Sequence, residues 1–232
     1  MERQAVKLSR PEAMIFDMDG TLFKTETLLI PVFHKVFDQL RKEGLYAGET
    51  PPEELILSCL GMLLPDIWRR VIPNHSETVH RRADELLLEY ELEGLQQLAT
   101  GLYPQVPETL QELKARGVRL FVASNGLEHY VKGVAEAHGI APLFEGLFSA
   151  GEFQTATKVD LVKLLLDRHG ITRAWMIGDR SSDVEAGNRN GLAVIGCAYA
   201  GFGDDRELAG SDVRIRNFDE LISLYDQAAE EA

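Results

Sequence analysis

An α/β architecture, a parallel sheet covered by helices and interrupted near its start by an all-helical insert, is the fold the sequence predicts. Three observations predict it. From about residue 102 onward, short β-rich apolar runs alternate with amphipathic segments. Residues 24–99 are instead Leu-rich and apolar-periodic over long stretches, without a β-branched run. Ahead of them a short apolar run containing Ile15-Phe16 stops at Asp17-Met18-Asp19-Gly20, so the insert would directly follow the first strand.

Each element has its own start or stop signal. In the insert, residues 28–40, 53–63 and 78–98 are the helical candidates, with Pro51-Pro52, Pro65 and Pro73 as the breaks between them. Pro107 opens a helical pattern through Leu110 and Leu113 that ends at Gly117, and Val118–Ala123 follows as a strand ended by Ser124-Asn125-Gly126. A second helical pattern runs through Val131, Val134 and Ala135 to Gly139, and a third through Leu161 and Leu165 to Gly170. Ala174–Ile177 reads as a strand ended by Gly178-Asp179; a helix follows to about Asn190. Residues 192–197 and 213–215 read as strands. Gln227 to Ala232 reads as a frayed acidic tail.

Composition narrows the possible functions. With 45% hydrophobic and 26% charged residues, the 232-residue chain has the balance of a globular protein and room for one core domain carrying a smaller insert. Its 37 acidic against 24 basic residues give a formal charge of −13. That charge repels nucleic-acid phosphates and anionic lipid surfaces, which argues against a nucleic-acid or membrane partner. Cys59 and Cys197, the only two cysteines, form no thiolate metal pattern and read as buried structural thiols. No apolar stretch reaches the length of a membrane span and no secretory h-region opens the chain, so a reducing, cytoplasmic setting is expected. Nothing in the sequence marks an oligomeric state.

Ligands of open α/β sheets bind outside the carboxyl ends of the strands. Polar residues stand at three such ends: Asp17 and Asp19, Ser124 and Asn125, and Asp179 with Asp183. If those strands are neighbours, four carboxylates, a hydroxyl and an amide gather around one point. Two acids as close as Asp17 and Asp19 repel each other unless a cation or a shared proton compensates. An all-oxygen donor set of this kind suits a hard cation, Mg²⁺ first. Lys158 adds a second signal. Thr157-Lys158-Val159-Asp160 fits a capping signature that puts the lysine in the first turn of its helix. A cation there opposes the helix dipole, yet beside an anionic substrate it becomes a clamp on phosphoryl oxygens.

In order and spacing, Asp17-Met18-Asp19-Gly20-Thr21, the strand ending in Ser124-Asn125, Lys158, and Gly178-Asp179-Arg180-Ser181-Ser182-Asp183 resemble the four motifs of the haloacid dehalogenase-like (HAD) superfamily. The resemblance covers nearly the whole chain. It implies a Rossmann-like parallel sheet core, residues 1–23 and 100–232, with residues 24–99 inserted as an all-helical cap domain of the first class. It further implies Asp17 as the nucleophile that forms an aspartyl phosphate, and Asp19 as general acid and then base. Ser124 and Lys158 would hold the transferring phosphoryl group, and Gly20, Thr21 and Asn125 would join them in binding substrate. Mg²⁺ would be held by Asp17, the backbone carbonyl of Asp19 and Asp179, with Asp183 orienting the metal's waters and Lys158.

Single residues then separate reactions within the resemblance. Members that dehalogenate carbon resemble Asp-x-Tyr at the first motif, and phosphonate-cleaving members lack the second aspartate, so Asp19 points to a Mg²⁺-dependent phosphatase acting on a small phosphorylated metabolite, similar to phosphoglycolate phosphatase-like members. A phosphosugar mutase resembling β-phosphoglucomutase, or an idle module that binds a phosphorylated ligand, are the alternatives. The chain departs from the usual phosphatase pattern at Lys24-Thr25, where an Asp-Ser pair is common. Arg69 and Arg70 in the insert, and Lys24 near its start, are candidate contacts for a substrate anion. Gly201-Phe202-Gly203 is a candidate rim of the site, and the six histidines are expected at surface or helix-end positions.

Overall fold

The computed structural model describes residues 8–60, 62, 64–97, 99–201 and 206–229. Six strands form one sheet: β1 (Ala13–Phe16), β2 (Arg119–Ser124), β3 (Gly146–Ser149), β4 (Ala174–Gly178), β5 (Ala193–Cys197) and β6 (Val213–Ile215). Their order is β3-β2-β1-β4-β5-β6, and every neighbouring pair is parallel. The chain builds outward from β1 on one side and then crosses to the other, so β1 lies at the point where the winding reverses.

Both faces of the sheet are covered, which is why its strands are apolar at nearly every position. Ala13 and Ile15 of β1, Phe121 and Ala123 of β2 and Met176 of β4 pack against Leu161, Val162 and Leu165. Those three belong to α8 (Lys158–His169). The alternate residues Met14, Phe16, Leu120, Val122, Trp175 and Ile177 face the opposite side. There they meet α5 (Val106–Ala115), α6 (Glu128–Ala137) and α10 (Glu220–Gln227).

Between β1 and α5 the chain is helical: α1 (Glu26–Lys42), α2 (Glu53–Leu57), α3 (Leu64–Val71) and α4 (Glu77–Gln97). Its buried residues, Phe33, Phe37 and Trp68 among them, belong to the same continuous hydrophobic cluster as that face of the sheet, with aromatic edge contacts such as Phe33 to Phe37 at 4.9 Å between ring centres. Its two connections to the sheet run side by side. Phe23 pairs with Leu102 in an antiparallel bridge, the Lys24 N–H donates to the Gly101 carbonyl at 2.9 Å, and the Tyr103 N–H donates to the Leu22 carbonyl at 2.9 Å.

Several expectations change. Pro65 does not separate helices; it sits in the first turn of α3, where its missing N–H costs nothing. The 53–63 candidate is helical only over Glu53–Leu57. The sequence reading passes over β3, over α7 (Ala150–Phe153) and over α10. The proposed tail does not fray from Gln227, because Ala228 is buried and the Ala229 N–H donates to the Leu8 carbonyl at 2.9 Å; residues 230–232 lie outside the described residues. His80 is at a helix end, in the first turn of α4, but it is buried there, its Nε2 3.0 Å from the Ile72 carbonyl. Cys59 and Cys197 are both free and buried, as expected.

Candidate active site

Register brings the three polar strand ends together. Phe16 of β1 lies opposite Val122 of β2 and Ile177 of β4, so Asp17, Ser124 and Asp179 leave adjacent strands at nearly the same level. Lys158 enters from the first turn of α8, whose N-cap Thr157 accepts from the Asp160 N–H. Its ammonium lies 2.8 Å from Asp17 Oδ1 and 2.6 Å from Asp183 Oδ1, with all three side chains buried. The Arg180 N–H donates to Asp183 Oδ2 at 2.9 Å and fixes that carboxylate at the start of α9 (Ser181–Arg189).

Two glycines let the acids come this close. A Cβ on Gly178 would stand 2.2 Å from the Asp183 carboxyl carbon. One on Gly20 would stand 2.4 Å from Asp179 Oδ2, and Gly20 also has φ +74°, a conformation side chains oppose.

Oxygens of Asp17, Asp179 and Asp183 lie within 4.8 Å of one another. Thr21 donates to Asp179 Oδ1 at 3.2 Å, while the buried Asp179 Oδ2 accepts no hydrogen bond among the described residues and has only the Arg180 Nε at 3.4 Å. A buried carboxylate oxygen without a hydrogen bond, in an all-oxygen cluster, favours a cation. The electrostatics agree. Burial and the charge of Asp183 push Asp17 up to about 7 against the pull of Lys158. Burial and Asp17 together raise Asp179 well above the ordinary carboxylate range. Burial works against the Lys158 charge, but Asp17 and Asp183 outweigh it and hold the ammonium above its usual value.

Asp19 is held differently from its neighbour. Thr25 Oγ1 donates to Asp19 Oδ1 at 2.7 Å and Tyr130 Oη donates to the same oxygen at 2.5 Å. Burial raises the Asp19 carboxyl, and these two donors resist the rise. Both bonds fall on Oδ1, and Asp19 lines the cavity.

That cavity, about 80 Å³, lies between the sheet and the insert. Asp17, Asp19, Ser124, Asn125 and Lys158 form its floor. Across from them stand Ile56, Leu60, Met62, Ile67 and Leu88, with two acids, Asp84 and Glu91 of α4. Burial, with the charge of Asp19, pushes Glu91 up to about 8. Burial also moves Asp84 to about 6, although Trp68 Nε1 donates to it. Arg180 reaches across the interface, its Nη2 donating to the Leu57 carbonyl at 3.1 Å and its Nε 3.4 Å from Asp179 Oδ2.

The structure gathers Asp17, Asp19, Ser124, Asn125, Lys158, Asp179 and Asp183 around one locus. It does not bring Thr21 to the cavity wall; its hydroxyl is on Asp179, and Gly20 serves as spacing beside that acid. Arg69 is exposed and paired with Asp66 and Glu77, and neither it nor the exposed Arg70 lines the cavity. Lys24 faces another groove, its ammonium 5.9 Å from the Tyr103 ring centre. Phe202 and Gly203 lie outside the described residues. Sequence reasoning missed Tyr130, Glu91, Asp84 and Arg180. Thr25 had a signal: it stands at the Lys24-Thr25 departure, and its hydroxyl is what the site uses there.

A doubly wound sheet with an acid cluster, a buried lysine and a hydroxyl at the carboxyl ends of its central strands is an arrangement suited to a hydrolase that works on a phosphoryl group. Residues 14–197 match the family model described as haloacid dehalogenase-like hydrolase. The chain belongs to this family and is a phosphatase within it. It is 27% identical over 222 residues to a phosphoglycolate phosphatase of Vibrio vulnificus, covering 91% of this chain and 92% of that protein. It is 28% identical over 198 residues to the pyrophosphatase PpaX of Bacillus velezensis, covering 82% and 84%. The crystal structure of CbbY from Rhodobacter sphaeroides in complex with phosphate has the same fold, with a TM-score of 0.79, 22% identity, and 93% and 99% of the two chains covered. Among the described residues no helix is long and apolar enough to cross a membrane.

Proposed function

We propose that the chain is a Mg²⁺-dependent phosphatase that hydrolyses a small phosphorylated metabolite through an aspartyl phosphate on Asp17. The observation that carries this reading is the contrast between two acids two residues apart. Asp17 is buried against Lys158 and the acid cluster, while Asp19 lies at the cavity wall with both its hydrogen bonds on one oxygen. One is placed to attack and the other to move a proton.

In the first step an Asp17 oxygen attacks phosphorus and the ester oxygen departs with a proton from Asp19. In the second, Asp19 takes a proton from water, whose oxygen attacks the acyl phosphate and releases inorganic phosphate. Two displacements replace one harder step. Burial raises the Asp19 carboxyl, which favours its protonated form for the first step, and it can return as a base once the leaving group has gone. Lys158 would neutralise the transferring oxygens, and Ser124 and Asn125, which line the floor, would orient them.

The donor set fits a hard divalent cation held by Asp17, Asp179 and the Asp19 carbonyl, with Asp183 behind them. When bound, Mg²⁺ supplies the positive charge that lets a carboxylate approach an anionic ester. Residues 24–99 would act as a cap domain that encloses the leaving group and excludes water, over a core of residues 1–23 and 100–232. Two free, buried cysteines are consistent with a reducing cytoplasmic setting.

The test is phosphate release from p-nitrophenyl phosphate with Mg²⁺, with and without EDTA, alongside chemical trapping of the acyl phosphate. Reversible silencing by EDTA and a trapped phosphate on Asp17 are expected, both release and trapping being lost in Asp17→Asn. Full activity in EDTA, or more than a few per cent of wild-type rate in Asp17→Asn, would overturn the proposal.

A further inference from the structure

We infer that the substrate is the phosphate ester of a small, largely apolar alcohol that carries a hydroxyl or amine close to the ester oxygen and no second anionic group. This deepens the phosphatase reading and rests on it. The relevant surface is the half of the cavity beyond the scissile bond, because the floor residues only see the phosphoryl group.

That half is built from aliphatic side chains, Ile56, Leu60, Met62, Ile67 and Leu88 among them, with Asp84 and Glu91 as its charged residues. Among the described residues that line the cavity, Lys158 is the single cation, and it is committed to Asp17 and Asp183 on the floor. Arg69 and Arg70, the cations of the nearby helix α3, are exposed and do not line the cavity, although Arg70 is near enough for its charge to act on Cys59. A leaving group bearing a carboxylate or a second phosphate would therefore lose its hydration against apolar walls and two acids, with no cation besides Lys158 among the described lining residues to receive it.

Glu91 decides what the chamber does accept. No hydrogen bond to its carboxyl is made among the described residues, and Asp19 is near enough for its charge to act on Glu91. Asp84, by contrast, already accepts from Trp68. Glu91 and Asp19 line the same cavity, so the Glu91 carboxyl is open to a donor on the leaving group. Both an alcohol and an ammonium can donate to it. The cavity volume of about 80 Å³ leaves room for a handful of atoms, where one water requires roughly 10–15 Å³.

The experiment compares kcat/KM with Mg²⁺ for three esters of matched length, 2-aminoethyl phosphate, 2-hydroxyethyl phosphate and phosphoglycolate, with p-nitrophenyl phosphate reporting the chemistry itself. The first two should exceed phosphoglycolate by tenfold or more. In Glu91→Gln the ratio of 2-aminoethyl phosphate to phosphoglycolate should fall roughly tenfold, about 1.4 kcal/mol in relative barrier. Met62→Lys, which adds a cation to the apolar wall, should move the same ratio in the same direction. Phosphoglycolate turned over as well as the other two, or a ratio unmoved in both variants, overturns this inference while leaving the phosphatase reading intact if the aryl phosphate is hydrolysed. No phosphate release from any of the four esters overturns both.

Discussion

Replacing Tyr130 with Phe removes one hydroxyl from a buried ring and one of two donors from Asp19 Oδ1. The donor favours the charged form of Asp19, so its loss raises the carboxyl still further. A hydrogen bond to a charged group contributes about 1.5–3 kcal/mol, so losing it penalises the charged form by about that much and moves the carboxyl upward. If Asp19 gives its proton to the leaving oxygen, phosphoenzyme formation from an alkyl phosphate requires the protonated acid. The alkaline limb of its pH profile should then move to higher pH in Tyr130→Phe. Thr25→Val should do the same by a comparable amount, because Thr25 donates to the same oxygen at 2.7 Å. Single-turnover rates between pH 5 and 9, with p-nitrophenyl phosphate as a leaving group that barely needs the proton, isolate the effect. An alkaline limb that stays in place or moves down in both variants would refute the role given to Asp19 and to the donors that hold it.

Three further outcomes follow from the same geometry. Lys158→Met leaves Asp17 and Asp183 buried without their cation, and without Mg²⁺ its unfolding free energy by urea titration should drop by about 3–5 kcal/mol. Gly20→Ala pushes a Cβ to 2.4 Å from Asp179 Oδ2 in a left-handed backbone, so the Mg²⁺ concentration for half-maximal activity should rise at least tenfold; an unchanged requirement would count against Asp179 as a ligand. Glu91 has its carboxyl raised from an ordinary 4.5 to about 8. A raised acid stabilises the fold fully below about 4.5, and that contribution is lost as pH climbs towards 8. Glu91→Gln does not ionise, so its melting temperature should gain on wild type between pH 5 and 8, by at least the 2–4 °C that about 1 kcal/mol produces in a chain of this size.

What the sequence discloses depends on how local the cause is. The central strands were readable because burial on both faces makes β1, β2 and β4 continuous apolar runs, and the floor acids were readable because they follow those runs directly. Strand β3 has only four residues at one edge of the sheet and is half-exposed at Gly146 and Leu147, so its apolar signal is weak. Helix α3 was hidden by Pro65, which reads as a breaker unless it falls in a first turn. Tyr130 reaches Asp19 across 111 positions of sequence, and Glu91 comes to the same place on a helix of the insert. No spacing rule links residues that only the packing of α4 and α6 on one another brings together. Arg69, conversely, has the right charge for a phosphate site but is exposed and paired with Asp66 and Glu77.

The paired connections at Phe23 and Leu102 have a consequence for motion. Two separate tethers would let the insert wander over a wide range of orientations, and each enclosure of a substrate would have to recover that lost freedom. Here the outgoing and returning strands are stitched to each other by the Lys24–Gly101 and Tyr103–Leu22 hydrogen bonds, so they bend as a single ribbon. Were the insert to move relative to the sheet, both connections would have to bend together, which restricts the directions open to it and would keep the acids on α4 facing the same strand ends.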